Sequence, residues 1–308
     1  MHNLPALGDL RLFCVVLQRG SLVAAAAEIG ASPSFVSKRL SLLEAALGTK
    51  LLHRTTRRLA ATDDGLTVLR WAQRILGSVD DMAQELSVAG GAPQGSLHVS
   101  ASPGFGRRHV AATLSEFTRR YPAVEVRLDL LDRPVDLVAE GIDVEIRIGG
   151  EHEPHLYARL LAGNRRVLCA APSYLAEHGR PGSPAELAEH RCLVTREPNQ
   201  VLGVWRLEGP DGVETVRPHG SLTANDGEII HRWALDGHGI MLRSLWDVGS
   251  SLATGRLEQV LPGYGQAADI WALYPTRLSR SPKVQLFLDL LAHRLNGSRL
   301  PLAGPCDL

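Results

Sequence analysis

The chain has 308 residues, 44% hydrophobic and 21% charged, with 33 basic and 33 acidic side chains. This is long and apolar enough for more than one globular domain, and excludes a disordered or collagen-like chain. No apolar run approaches the roughly 20 residues of a membrane helix, and the N-terminus lacks a charged-then-apolar signal pattern, so a soluble, cytoplasmic protein with no membrane partner is expected.

The neutral total hides an asymmetry. Residues 1–60 carry eight basic and three acidic side chains, and the remainder carries 25 and 30. A basic head on an acidic body suggests that the head alone meets a polyanion; the plain alternative is a solvated basic face. The four cysteines (Cys14, Cys169, Cys192, Cys306) are scattered without C-x-x-C or metal-ligand spacing and are expected as free thiols, mostly buried.

Leu10, Phe13, Cys14 and Leu17 share one helical face, which predicts a helix over about Leu7 to Arg19, ended by Gly20. Ser21 then caps a short alanine-rich helix to about Ile29. Gly30 permits a tight turn, and Ser32 caps a third helix with Pro33 at its first position. Val36, Leu40, Leu43 and Leu47 form the expected buried stripe of that helix, with Ser34, Ser37, Lys38 and Ser41 opposite and Arg39 beside them. Short hydroxyls and cations next to a helix N-terminus suit a major-groove reader. After Gly48, the stretch Lys50 to Thr62 carries His53, Arg54, Thr55, Thr56, Arg57 and Arg58, as in a basic hairpin that grips phosphates. Helix, turn, helix and basic hairpin together make a winged helix-turn-helix. The candidate DNA contacts are Ser32, Pro33, Ser34, Ser37, Lys38, Arg39, Arg54, Thr55, Thr56, Arg57 and Arg58. From Asp63, apolar residues recur at Leu66, Leu69, Ala72, Leu76, Val79, Ala83 and Leu86. We read this seam as a dimerising linker helix, the alternative being a helix packed on its own domain.

Gly90 to Gly95 breaks that helix and marks a domain boundary. Strands are then expected at Leu97–Ala101, Val124–Leu130, Val144–Ile148, Leu156–Leu161, Val167–Ala171, Cys192–Thr195, Val204–Leu207, Ile240–Leu242 and Ile270–Tyr274. Helices are expected near Arg107–Tyr121, Val135–Glu140, Ser173–Glu177, Glu228–Asp236, Leu245–Thr254 and Val284–Leu295. Alternating strands and helices imply an α/β body, whose length fits two lobes with a cleft between them.

At this point the chain resembles the LysR-type transcriptional regulators over essentially its whole length. The head carries G-S-x-x-A-A-A (Gly20 to Ala26), S-P-S-x-V-S-K-R (Ser32 to Arg39), L-E-x-x-L-G (Leu43 to Gly48), L-x-R-T-T-R (Leu52 to Arg57) and T-x-x-G (Thr62 to Gly65), in order and correctly spaced. Leu22 stands where an aromatic is common. Phe35 stands where a small residue is common, and either alters base preference or fills the core. The body carries SPGFGR (Ser102 to Arg107), LLDRPVDLV (Leu130 to Val138), GIDVEIRI (Gly141 to Ile148), RVLCAAPSYL (Arg166 to Leu175), CLVTRE (Cys192 to Glu197) and GIMLRSLWDV (Gly239 to Val248). In these it is similar to the bacterial activators of L-tartrate dehydratase and D-malate degradation genes. The resemblance implies a dicarboxylate-responsive activator with a body shaped like periplasmic solute-binding proteins and its effector between the lobes.

The residues permit an independent test of that site. Ser102-Pro103-Gly104-Phe105-Gly106 follows a strand and precedes a helix, where glycines let backbone N–H groups face an anion, with hydroxyls from Ser100 and Ser102. An ordinary tight turn is the alternative. Arg147, Arg196 and Arg243 lie in or after apolar strands, where a cleft opens and a carboxylate wants forked cations; Arg147 alternatively pairs with Asp143 or Glu145. The candidate effector set is Ser100, Ser102, Phe105, Gly106, Arg147, Thr195, Arg196, Asn225 and Arg243. Asp226 is read as a helix cap. Ser244, Asp247 and His238 lie too close along one segment to make a convincing catalytic triad. There is no metal-ligand motif, Walker loop, dinucleotide fingerprint or nucleophile elbow, so no cofactor, metal or catalytic residue is expected.

The expected fold is α+β and multidomain: a winged helix-turn-helix over 1–62, a linker helix and hinge over 63–92, and a two-lobed α/β effector domain over 93–308. Lobe I takes about 93–163 and 267–297, and lobe II about 164–266. The expected partners are promoter duplex DNA with an interrupted palindrome, a small-molecule effector, RNA polymerase for an activator, and one or three further copies of the chain. The alternatives are a repressor, a regulator sensing an aromatic or other ligand, and a solute-binding or enzymatic α/β protein with a basic assembly head.

Overall fold

The computed structural model describes residues 4–54, 59–86, 92–150, 152–195, 204–275 and 281–297. The expectations for Thr55, Thr56, Arg57, Arg58, Arg196, Cys306 and the tail from 298 onward lie outside the described residues, as does the side chain of Arg54. The chain forms two compact units, Met1–Gly91 with Val138–Gly141, and Ala92–Leu137 with Ile142–Leu308.

The head contains α1 (Leu7–Arg19), α2 (Leu22–Glu28), α3 (Pro33–Leu47), a ribbon of β1 (Leu52–Arg54) and β2 (Leu59–Ala61), and α4 (Asp63–Leu86). Ser21 Oγ accepts from the Ala24 amide and Ser32 Oγ from the Phe35 amide, so each of the second and third helices starts on a serine cap. Gly20 and Gly48 end α1 and α3 with φ of 62° and 72°, a left-handed conformation that a β-carbon disfavours. The core collects Leu10, Phe13 and Val16 with Ala25, Ala26, Val36, Leu40, Leu43 and Leu51. Cys14 and Leu17, expected inward, are half-buried, and Val16 is fully buried. The reason is that α1 packs against α2, α3 and α4, so its buried surface is wider than one stripe.

Two polar devices fix the ribbon. Glu44 is buried; it accepts from Lys50 Nζ at 2.7 Å and from the Leu51 amide at 3.0 Å. Thr62 Oγ1 donates to the Lys50 carbonyl at 2.6 Å and accepts from the Gly65 amide at 2.9 Å. A β-carbon on Gly65 would stand 2.1 Å from the Leu51 carbonyl oxygen, so this position has no room for a side chain. The T-x-x-G motif is thus a helix cap beside a close backbone approach. On α4, Ala72 is fully buried and Leu69 is half-buried on the head core, so these two positions of the expected dimer seam face their own domain. Leu66 of the seam is exposed, and among the described side chains of α4 Trp71, Ile75 and Met82, outside the seam, are exposed with it.

The body runs β3 (Gly95–Ala101), α5 (Pro103–Phe105), a π turn at Gly106–Val110, α6 (Ala111–Arg120), β4 (Val124–Leu130), α7 (Leu137–Glu140), β5 (Val144–Ile148) and β6 (Leu156–Ala162). It continues with β7 (Arg165–Ala170), α8 (Pro172–His178), a 3-10 turn at Pro184–Ala188, β8 (Cys192–Thr195), β9 (Trp205–Gly209), β10 (Gly212–Val216), β11 (Thr223–Ala224), α9 (Gly227–Leu235), β12 (Ile240–Ser244), α10 (Leu245–Ala253), β13 (Glu258–Ala267), β14 (Ile270–Pro275) and α11 (Pro282–Gly297). The strands sort into two sheets. One has the order β4-β3-β5-β14-β6, and the other β10-β9-β13-β7-β12-β8-β11. The chain therefore crosses between sheets twice, from β6 to β7 and from β13 to β14. Asn164 ties the crossings together: its amide donates to Asp269 Oδ1 at 2.9 Å, and its Nδ2 to the Ala268 carbonyl at 2.7 Å and Ser244 Oγ at 3.2 Å.

Three differences from expectation have local causes. The helix after β3 begins at Pro103 rather than Arg107, because proline suits a first turn and the π turn carries the helix on through Gly106. β13 was not expected, since EQVLPGYGQA has neither alternation nor a continuous apolar run, and its register slips between Val260 and Gly265. β10, the outer arm of a hairpin with β9, exposes four of its five residues. Cys169 and Cys192 are buried and Cys14 half-buried; burial pushes the thiols up to about 12, 12 and 11, so they stay protonated at neutral pH.

Candidate functional site

The head presents the outer face of α3. Ser32 Oγ is engaged as the cap and lies 2.9 Å from Ser34 Oγ, while Pro33 and Ser34 are exposed on the first turn. Lys38 is exposed one turn further on, and Ser37 is half-buried. Arg39 turns back: its Nε donates to Asp9 Oδ1 at 2.6 Å, joining α3 to α1. Phe35 is 51% exposed, so of the two readings left open for it, filling the core is ruled out.

In the body, the N-terminal end of α5, the loop after β4 and the end of β5 face the ends of β8 and β12 and the start of α9 across a cleft of about 580 Å³. Five of the expected residues line it: Ser102, Arg147, Thr195, Asn225 and Arg243. Ser100, Phe105 and Gly106 do not, which corrects the expectation. Ser100 is buried on β3, and its hydroxyl has no hydrogen-bond partner among the described residues. Phe105 is fully buried, with its ring edge-on to Trp246 at 5.2 Å between centroids. Gly106 serves packing: a β-carbon there would meet Leu130 Cδ2 at 2.2 Å, and its amide already donates to the Ser102 carbonyl. Gly106 therefore lets the helix sit close on β4, while Gly104 lines the cleft, where a β-carbon would stand 3.3 Å from the Trp246 ring.

The two described arginines differ in their surroundings. Arg147 is held by two carboxylates, with Nη2 2.8 Å from Glu145 Oε2 and Nη1 2.9 Å from Glu153 Oε2. Glu145 is one of the two partners considered from the sequence; Glu153 was missed because it comes from a loop of no pattern. Arg243 donates through Nε and Nη2 to Asp247 Oδ2 at 2.9 and 2.5 Å. Asp247 is buried on the first turn of α10; its Oδ1 forms an ion pair with Arg108 Nη1 at 2.7 Å and lies 3.2 Å from His231 Nδ1, while Arg108 Nη1 donates its hydrogen bond to the Asp247 backbone carbonyl at 3.0 Å. Burial alone would raise Asp247, but the His231 hydrogen bond and the Arg243 charge outweigh it and bring it down to about 2. One carboxylate thus pairs with two guanidiniums, Arg243 from β12, which lines the cleft, and Arg108 from the π turn, which does not. That cluster has a surplus positive charge, whereas Arg147 with its two glutamates has a surplus negative one. Gly227 leaves room for this arrangement, since a β-carbon there would lie 2.0 Å from Arg243 Nη1.

Asp226 caps α9 by accepting from the Glu228 amide at 2.7 Å, as expected, and Arg107 pairs with Glu228 at the same rim. The histidine beside Asp247 is His231, not His238, and beyond it lies Ser251 Oγ at 3.2 Å from Nε2; all three are buried, so the chain Asp247–His231–Ser251 braces α9 on α10. Arg133, Arg166 and Trp246 also line the cleft. Each lay within a motif quoted from the sequence, but only the fold shows which side of its segment faces inward. Among the described residues no group of His, Cys, Asp and Glu is placed to hold a metal ion.

A winged helix-turn-helix followed by a two-sheet body with a polar cleft defines a ligand-responsive DNA-binding regulator. Residues 7–66 match the bacterial regulatory helix-turn-helix protein family of the LysR type, and residues 90–296 match the LysR substrate binding domain. The chain belongs to the LysR family of transcriptional regulators. It is 48% identical over 291 residues to the HTH-type transcriptional regulator DmlR of Escherichia coli K12, covering 94% of this chain and 95% of that one. It is 41% identical over 292 residues to the HTH-type transcriptional activator TtdR of the same organism, covering 95% and 94%. Among solved structures it resembles CrgA, a LysR-type regulator from Neisseria meningitidis, with a TM-score of 0.60 and 31% identity over 94% of this chain and 98% of that one.

Proposed function

We propose that the protein is a transcriptional activator that works in the cytoplasm and answers to a small carboxylic acid, malate- or tartrate-like, bound in the cleft. The observation that carries this reading is the Arg108–Asp247–Arg243 cluster. It leaves net positive charge at and behind Arg243, the one member of the three that lines the cleft, and a ligand carboxylate on Arg243 would neutralise it. Similarity to a relative named an activator supports the sign of regulation. In linkage terms the acid acts by binding one setting of the two lobes better than another, because Asp247 shares its carboxylate between Arg243 and Arg108. The exposed Trp71, Ile75 and Met82 of α4 offer a surface for pairing two copies, which would set two heads on an interrupted palindrome and present the complex to RNA polymerase. Lys38, Ser34 and Ser37 would approach bases from α3, and Arg54, Thr55, Thr56, Arg57 and Arg58 would hold phosphates.

The test is a thermal-shift screen of the full chain with L- and D-malate, the tartrate stereoisomers and benzoate at millimolar concentration. Stabilisation by a hydroxydicarboxylate that is lost in Arg243→Ala is expected. Absence of a shift with every dicarboxylate removes the effector reading.

A further inference from the structure

The outer face of α3 holds one feature that neither capping nor core packing explains. Val36, Leu40 and Leu43 are buried, so they fix the rotation of the helix. That rotation sets Phe35 outward, 51% exposed, on the same side as Lys38, which follows at i+3, and beside the exposed Ser34. Its amide donates to Ser32 Oγ at 3.2 Å, which holds the first turn of the helix in place. A single exposed apolar side chain is ordinary on a protein surface; what singles Phe35 out is its place on the first turns of α3, beside Ser34 and Lys38. In a helix-turn-helix the N-terminal turn of the second helix is the part that reaches base edges, and α3 is that helix.

We propose that Phe35 is a base-reading residue, whose ring covers the C5-methyl group of a thymine in the major groove. A phenyl ring has no donor or acceptor, so it is blind to the hydrogen-bonding code of the groove. The thymine methyl is the one apolar group that code displays. Lys38 on the same face supplies the charge complementarity with duplex DNA and brings the ring to the base edge. The contact makes Phe35 select A·T over G·C at one position in each half-site, on top of whatever its polar neighbours read.

The experiment selects binding sites for the full-length protein from a random duplex pool, then repeats the selection with Phe35→Ala and Phe35→Leu. The wild-type site is next resynthesised with deoxyuridine in place of each thymine in turn, which removes only the methyl group, and affinities are measured at one fixed salt concentration. One thymine per half-site is expected at which deoxyuridine weakens wild-type binding about fourfold, the effect of one buried methyl. Phe35→Ala should abolish that difference and relax the selected base there, while Phe35→Leu should keep part of it. Because the ring is exposed, the variants should melt with the wild type, and circular dichroism checks this. The proposal is overturned if Phe35→Ala selects the same site with the same thymine-to-deoxyuridine ratios. It is equally overturned if the variant weakens binding to all sequences alike, or changes only the oligomeric state.

Discussion

Replacing Asp247 by asparagine keeps the shape of the cleft wall and removes the charge that binds it together. The buried carboxylate accepts from Arg243 at 2.5 Å, forms an ion pair with Arg108 at 2.7 Å and lies 3.2 Å from His231 Nδ1. Removing one member of a buried ion pair strands the others, which costs about 3–5 kcal/mol, a large part of a stability of about 5–15 kcal/mol. The pH dependence isolates the charge. A carboxylate lowered from 3.8 to about 2 contributes stability that is present above its unfolded pKa and disappears as pH falls through its folded one. The shift corresponds to about 2 kcal/mol, of which about 1 is gone by about pH 3. An asparagine side chain does not titrate and carries no such contribution. The gap between wild type and Asp247→Asn should therefore narrow by about 1 kcal/mol between about pH 5 and about pH 3. Urea unfolding of the full chain, followed by tryptophan fluorescence, measures it, since Trp205, Trp233, Trp246 and Trp271 all lie in the body. A gap that stays constant over that interval would show that the Asp247 charge does not hold the two arginines, and the charge argument for the cleft would go with it.

Three further outcomes follow from named contacts. Arg39→Ala should weaken DNA binding with only a small loss of head stability, about 0.2–1 kcal/mol, because the pair with Asp9 is partly exposed; Asp9→Asn, measured beside it by mobility shift and melting, separates the packing role from a direct contact. Gly65→Ala should destabilise the head by more than about 2 kcal/mol and shift the ribbon, since its β-carbon cannot stand 2.1 Å from the Leu51 carbonyl oxygen; a melting temperature equal to wild type would contradict this. Arg243→Ala should abolish stabilisation by an added dicarboxylate, whereas Arg147→Ala should reduce it much less, because Glu145 and Glu153 already occupy that guanidinium; equal losses in the two titrations would put the ligand between both arginines.

The head was legible in the sequence almost to the residue, for a physical reason. Its signals are local: Ser21 and Ser32 cap, Gly20 and Gly48 terminate, and Val36, Leu40 and Leu43 repeat at helical spacing. The linker seam was only half legible, because periodicity shows that a face is apolar but not what covers it; Ala72 and Leu69 turn out to face their own domain, Leu66 of the seam is exposed, and Trp71, Ile75 and Met82, outside it, are exposed as well. In the body, strands with continuous apolar runs were found and β13 was not, since its glycines and proline erase the pattern.

The cleft arginines mark the boundary of sequence reasoning. Position at the end of an apolar strand placed Arg147 and Arg243 on the wall of the same cleft, and by that criterion they were equivalent. What separates them is the count of carboxylates within reach, and that depends on parts of the chain far apart. Arg243 shares Asp247 with Arg108, which lies 139 residues from that aspartate. Arg147 takes Glu145 from its own strand and Glu153 from a loop without pattern. Charge surplus, rather than the presence of arginine, decides where an anion can bind, because a guanidinium already neutralised twice offers a carboxylate repulsion as well as donors. On that ground the proposed anionic effector is expected on the Arg243 side of the cleft, whose partner Asp247 also pairs with Arg108.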